Sequence, residues 1–66
     1  MDMATELRSR MAARQVSVAD VATLVGRTPV QVSRYRTGQT PIPLDVAQKL
    51  LSADLLSADS ILGRAA

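Results

Sequence analysis

Between Ser17 and Gly38 the sequence carries two complete sets of helix start and stop signals, one directly after the other. The first set opens at Ser17, whose hydroxyl can accept a bond from the exposed amides of a helix start. Asp20, three residues on, complements the positive helix end. Ser-x-x-Asp is a weaker relative of the Ser-x-x-Glu capping box. Val18, Val21, Ala22 and Val25 then fall at i, i+3, i+4 and i+7. Three valines in eight residues could argue for a strand, but the period is helical and not two. Gly26 stops this helix, because glycine takes the left-handed conformation at little cost. After Arg27 alone, the second set begins. Thr28 is a good cap, Pro29 occupies the favoured first position, and Gln31 completes a Thr-x-x-Gln box. Val32 and Tyr35 form the buried pair of this helix, which spans Pro29–Thr37, and Gly38 closes it.

The flanks also read as helices. Ala4, Leu7 and Met11 stand on one face of a helix over residues 4–14, with Arg8, Arg10 and Arg14 off that stripe. Gln15 and Val16 lead out, with Val16 pinned into the core. Gln39-Thr40-Pro41-Ile42 is a turn, since Pro41 pushes Thr40 away from helical angles. Pro43 can open a fourth helix running to Leu51, with Leu44, Ala47 and Leu51 as its inner stripe and Val46 and Leu50 beside them. The tail repeats Leu-Leu-Ser-Ala-Asp, but a five-residue step is not a helical repeat. Ser57, Ser60, Ile61 and Leu62 suggest a short last helix at about 57–64, ended near Gly63. The expected fold is therefore all-α, a single small bundle of four to five helices over residues 1–66.

A chain of 66 residues buries a thin core and is marginal alone. Such domains commonly gain a disulfide, a metal or a second subunit. There is no Cys and no His, so no disulfide, structural zinc site or other cofactor is expected, and oligomerisation is the remaining option. Leu55, Leu56, Ile61 and Leu62 lie beyond the four-helix unit. The segment 52–66 is therefore the expected dimer interface. No run reaches the roughly 20 apolar residues of a membrane span. The acids Asp2 and Glu6 also argue against a secretory signal, so a cytoplasmic location is the default expectation. Net charge is only +2, yet the stretch from Arg27 to Thr40 holds three arginines and no acid, and seven of the eight bases are Arg. Arginine suits bidentate contact with phosphate and guanine, and small basic domains often bind nucleic acid.

Two short capped helices separated by a glycine turn make a helix-turn-helix over about residues 17–38. Its chemistry needs this shape: one helix braces across the DNA backbone and the next lies in the major groove. Ala22 fits where the helices cross closely, and Gly26 fits the sharp turn. From Ser17 to Leu51 the sequence resembles the Cro and phage-repressor (XRE-like) family, most specifically in Ala22 with Gly26, in Val32-Ser33-Arg34-Tyr35 and in Gly38. The resemblance implies a lambda-repressor-like DNA-binding domain, an operator as ligand and commonly a homodimer. Three positions depart from the family pattern. Arg27 replaces an apolar residue, Arg36 stands where an acid is frequent, and Val18 replaces a polar residue. The family's base-contacting positions fall at Pro29, Val30, Ser33 and Arg34. Helical geometry, at about 100° per residue from the Val32–Tyr35 direction, independently points Val30, Ser33, Arg34 and Thr37 outward. Arg34 could take a guanine, Val30 could meet a thymine methyl, and Ser33 is permissive. Ser17, Thr28, Gln31, Arg36, Thr37, Gln39 and Thr40 are the expected backbone or flanking contacts.

The leading expectation is a phage or bacterial transcriptional regulator, a repressor acting by steric occlusion of a palindromic operator. An alternative is an antitoxin that binds its own operator and a co-encoded toxin through the C-terminal segment. A third is a protein-interaction module that has lost DNA binding. An excisionase-type or MerR-like winged helix is opposed by the helix preceding the motif and by the helical reading of Pro43–Leu51. No enzyme is expected. Ser52, Ser57 and Ser60 read as helix-end residues, and no His or Cys can serve as their base.

Overall fold

The computed structural model describes residues 3–58 and Ile61. Four helices follow one another, α1 (Met3–Arg14), α2 (Val18–Val25), α3 (Pro29–Thr37) and α4 (Leu44–Ser52), and no strand occurs among the described residues. Helix α3 packs against both α1 and α2, and α4 packs against α2.

The helices end for identifiable reasons. Helix α1 presents Leu7 and Met11 inward, and the chain turns at Gln15 with φ +54°. There the amide of Val16 donates to the Met11 carbonyl at 3.0 Å, a Schellman-type closure that brings Val16 against the core. Helix α2 carries a full reciprocal box: Ser17 Oγ accepts from the Asp20 amide and Asp20 accepts from the Ser17 amide. The shorter Asp20 side chain thus completes the box. Helix α3 has the Thr28–Gln31 box with Pro29 in its first turn. Gly26 and Gly38 close α2 and α3 at φ +71° and +82°. A methyl group on Gly26 would meet nothing within 4 Å, so backbone angle alone restricts that position.

The core gathers Leu7 and Met11 from α1, Val21, Ala22 and Val25 from α2, and Val32 and Tyr35 from α3. Ile42 in the following loop and Val46, Ala47 and Leu50 of α4 complete it, with Leu55 and Leu56 behind them. No polar or charged residue is buried among the described residues. Ala22 is 4 % exposed within this set. Ala22→Leu is expected to destabilise the fold by about 1–3 kcal/mol through overpacking. A thermal melt unchanged from wild type would show that the position has room to spare.

Two expectations are corrected here. The inner stripe of α4 is Val46, Ala47 and Leu50, whereas Leu44 and Leu51 are 63 % and 41 % exposed. Packing decides the difference: α4 lies against α2, Pro43 is its extended cap residue, and Ile42 fills the core just before it. The helix is thus rotated about its axis relative to the expected stripe. The second correction concerns Leu55 and Leu56, which are 2 % and 1 % exposed within a single chain and cannot serve as an inter-subunit surface. Asp54 turns the chain at φ +63°, and the Leu55 amide donates to the Leu50 carbonyl at 2.8 Å. This reversal folds both leucines inward. It is tied to α1 by Arg10 and Arg14, which both bind the Asp54 carboxylate. Glu6 accepts from the Ser57 amide at 2.8 Å and from its hydroxyl. Ile61 packs partly buried against the core, with its amide bonded to the Ser57 carbonyl. The rest of the expected helix at 57–64, Leu62 included, lies outside the described residues.

Candidate nucleic-acid interface

The face of α3 turned away from the Val32–Tyr35 pair carries Pro29, Val30, Arg34 and Thr37, all exposed, with Ser33 half-buried at its edge. Val30 is 59 % exposed, at the centre of a face on which packing within the chain asks for no apolar residue. The Thr37 hydroxyl donates to the Arg34 carbonyl at 3.2 Å. That same carbonyl accepts from the amides of Gln39 and Thr40 at 2.9 and 3.3 Å. The amides after α3 are therefore spent on closing the helix, and Gln39 and Thr40 can offer a ligand only their exposed side chains.

The two helix starts differ in charge. At α2 the Ser17 amide donates to Asp20 and the Ser17 Oγ accepts from the Asp20 amide, so the carboxylate of Asp20 sits directly on the cap. A phosphate approaching Ser17 would meet that negative charge, which weighs against Ser17 as a backbone contact. At α3 the corresponding partner is the neutral Gln31, and the cap uses only its Oε1. The positive end of α3 thus faces outward without an acid beside it.

Arg36 is half-buried, and its Nε is sealed from solvent with no acceptor. Its stem belongs to the fold, and only the tip of the side chain is available for phosphate. On α1, Arg10 and Arg14 are taken up by Asp54, and Arg10 lies 3.6 Å from Glu6 as well. Those arginines hold the C-terminal reversal in place.

Sequence reasoning missed the role of Arg27. Its guanidinium donates to Asp45 at 2.8 Å, joining the turn between α2 and α3 to the start of α4. The apolar residue expected at this position would pack; the arginine instead reaches across to an acid eighteen residues away. Lys49 makes a second link, donating to the Val25 carbonyl at the C-terminal end of α2 at 3.5 Å. The hydrogen bond from Arg27, together with its charge, holds the Asp45 carboxyl below its ordinary value, and Asp45 raises the Arg27 guanidinium in return. An acid whose pKa is lowered by folding stabilises the fold above its unfolded value and loses that contribution as pH falls through the lowered one. The stability gap between wild type and Asp45→Asn should therefore be present at neutral pH and close below about pH 4. A gap that persists undiminished at acid pH would mean that the ion pair is not its source.

A shallow groove of about 280 Å³ lies between Met3, Ala4, Tyr35, Gly38 and Thr40-Pro41-Ile42, with a mostly apolar lining. Among the described residues no group of three His, Cys, Asp or Glu side chains could hold a metal ion. No helix among them is long and apolar enough to cross a membrane.

Residues 2–60 match a family model described as a helix-turn-helix domain, a match that spans all four helices. Comparisons with curated proteins and with solved structures found no match.

Proposed function

The chain belongs to the helix-turn-helix family of Cro-like DNA-binding domains, and on that premise we propose that it is a sequence-specific regulator of transcription that lays α3 in the major groove of an operator. The observation that carries this reading is the outward face of α3. An exposed valine, an exposed arginine and a half-buried serine stand together there, within a stretch from Arg27 to Thr40 that holds no acid. Arg34 would take a guanine through two of its donors, Val30 would meet a thymine methyl, and Pro29 and Ser33 would flank them. Thr28, Gln31, Arg36, Thr37, Gln39 and Thr40 surround this face and would hold phosphates. Repression by occlusion is the simplest mode for a domain of this size. Two copies on a palindromic operator would place their reading helices about one DNA turn, roughly 34 Å, apart.

The test is selection from a randomised duplex library, followed by a salt titration of the recovered sequences. Affinity should fall steeply and linearly on logarithmic axes as salt rises, because phosphate contacts release counterions. The recovered sequences should share a common half-site. Failure to bind any duplex at low salt would overturn the reading in favour of a protein-interaction role.

A further inference from the structure

We propose that Arg27 is the positioning residue of the reading helix: by tying the turn before α3 to Asp45 of α4, it fixes the angle at which α3 meets DNA, and discrimination between base sequences depends on that tie. The inference rests on the DNA-binding reading above and concerns a residue that reads no base itself. Arg27 stands two residues before α3, and Asp45 lies in the first turn of α4. Their 2.8 Å contact therefore closes a ring of chain that holds the whole of α3 and the loop after it.

The tie sits where it can set the angle of α3. The backbone of Arg27 is anchored on α2, its amide donating to the Ala22 carbonyl at 3.0 Å. Its guanidinium reaches α4 through Asp45, and the buried Tyr35 of α3 stands close enough to hydrogen-bond the same group. A guanidinium carries five donors in a rigid fork, so one arginine serves both acceptors. Helix α3 packs on α1 and α2, whereas α4 packs on α2, so the polar link between α3 and α4 runs through this side chain. Glycines with left-handed angles, Gly26 and Gly38, stand at the two ends of α3. A glycine backbone turns more freely than any other. These are the points about which the helix would swing once the tie is cut.

Base contacts and phosphate contacts feel such a swing differently. The two hydrogen bonds of Arg34 to a guanine hold only within about 0.5 Å and roughly 10–20° of their best geometry. The attraction of an arginine for a phosphate falls slowly with distance. A reading helix that has lost its angle thus keeps its general hold on DNA and loses its preference among sequences. The apolar residue of the family pattern would fill space at this position without direction. The arginine instead selects one acid and one direction.

The experiment measures binding of the wild type, Arg27→Gln, Asp45→Asn, the double variant and Arg8→Gln to two duplexes. One duplex is recovered by selection, and the other differs from it at the most strongly selected base pair. The ratio of the two affinities is the readout. Arg8 is exposed on α1, and its substitution controls for the loss of one positive charge. Arg27→Gln and Asp45→Asn should each lower the ratio by about five-fold or more, the least that one bidentate base contact supplies. The double variant should lose no more than the worse single one, because both cut the same tie. Arg8→Gln should leave the ratio unchanged. Charge alone gives another pattern: Arg27→Gln would weaken and Asp45→Asn would strengthen binding to both duplexes, with the ratio intact. That pattern, or losses that add in the double variant, would overturn the proposal while leaving DNA binding in place. An ion pair this exposed adds little to stability, so every variant should be folded at the assay temperature, which thermal melts check. If Arg27→Gln alone unfolds, the comparison of Asp45→Asn with Arg8→Gln decides. A wild type that binds no duplex would remove the DNA reading and this inference together.

Discussion

Ending the chain after Asp54 is expected to unfold it. Leu55 and Leu56 are almost fully buried, against a core of barely a dozen side chains. Removing a fully buried leucine side chain costs about 2–5 kcal/mol, and two lost together approach the roughly 5–15 kcal/mol that holds a small domain folded. The loss is compounded because Ser57 would no longer donate to Glu6. Leu56→Ala in the intact chain is the milder form of the same experiment, with an expected loss of about 2–5 kcal/mol. Circular dichroism on heating is the measurement. The truncated chain should show little cooperative transition, and Leu56→Ala should lower the midpoint by about ten degrees or more at this size. A truncated chain that melts cooperatively near the wild-type temperature would mean that the fold closes at α4.

This outcome separates what the sequence can disclose from what it cannot. The caps of α2 and α3 and the glycine stops are local signals, each complete within a few residues, and they could be read directly from Ser17, Thr28, Gly26 and Gly38. The buried faces of α2 and α3 could be read for a related reason. Val21 with Val25 and Val32 with Tyr35 stand three or four residues apart, on one face of their helices, and those faces are the buried ones. Helix α4 has no side-chain cap bond at Pro43, and its apolar residues, Leu44, Val46, Ala47, Leu50 and Leu51, spread over an arc of about 160°, wider than one neighbouring helix can cover. Several phases fit such a pattern, and packing against α2 chose the one that leaves Leu44 and Leu51 outside. The tail was hidden for a different reason. Its reversal depends on Asp54 taking a left-handed conformation while Arg10 and Arg14, forty and more residues earlier, hold its carboxylate. No local pattern encodes that pairing. The link from Arg27 to Asp45 is likewise long-range, and it converts what reads as a basic surface residue into a tie between elements. The reading face of α3 was legible because it is the remainder left once the buried pair is fixed.

That face also defines the sharpest distinction to be tested, between side chains that read bases and side chains that hold the backbone. Arg34 is exposed, and its backbone carbonyl closes α3, so shortening the side chain leaves the helix end intact. Arg34→Ala should cost about 1–3 kcal/mol on the preferred sequence and little on a sequence altered at the base pair it contacts. Preference at that one position should relax while the rest of the site is read as before. Arg36 calls for a different substitution, because its stem is part of the fold and its Nε is buried without a partner. Arg36→Met keeps the stem, removes the charge and removes the unpaired donor. It should leave the melting temperature unchanged or higher, weaken binding about equally on all duplexes, and lower the slope of affinity against salt by about one contact. Val30→Ala should lie between the two, with a loss confined to sequences bearing a thymine at its position. The measurement is a set of binding isotherms for each variant on the selected duplex and on its single-base variants, at two salt concentrations. If Arg34→Ala weakens every duplex alike while Arg36→Met changes base preference, the roles of the two arginines are exchanged and α3 sits in the groove rotated from the orientation its exposed face indicates. If neither substitution has an effect and both variants remain folded, α3 is not the reading helix.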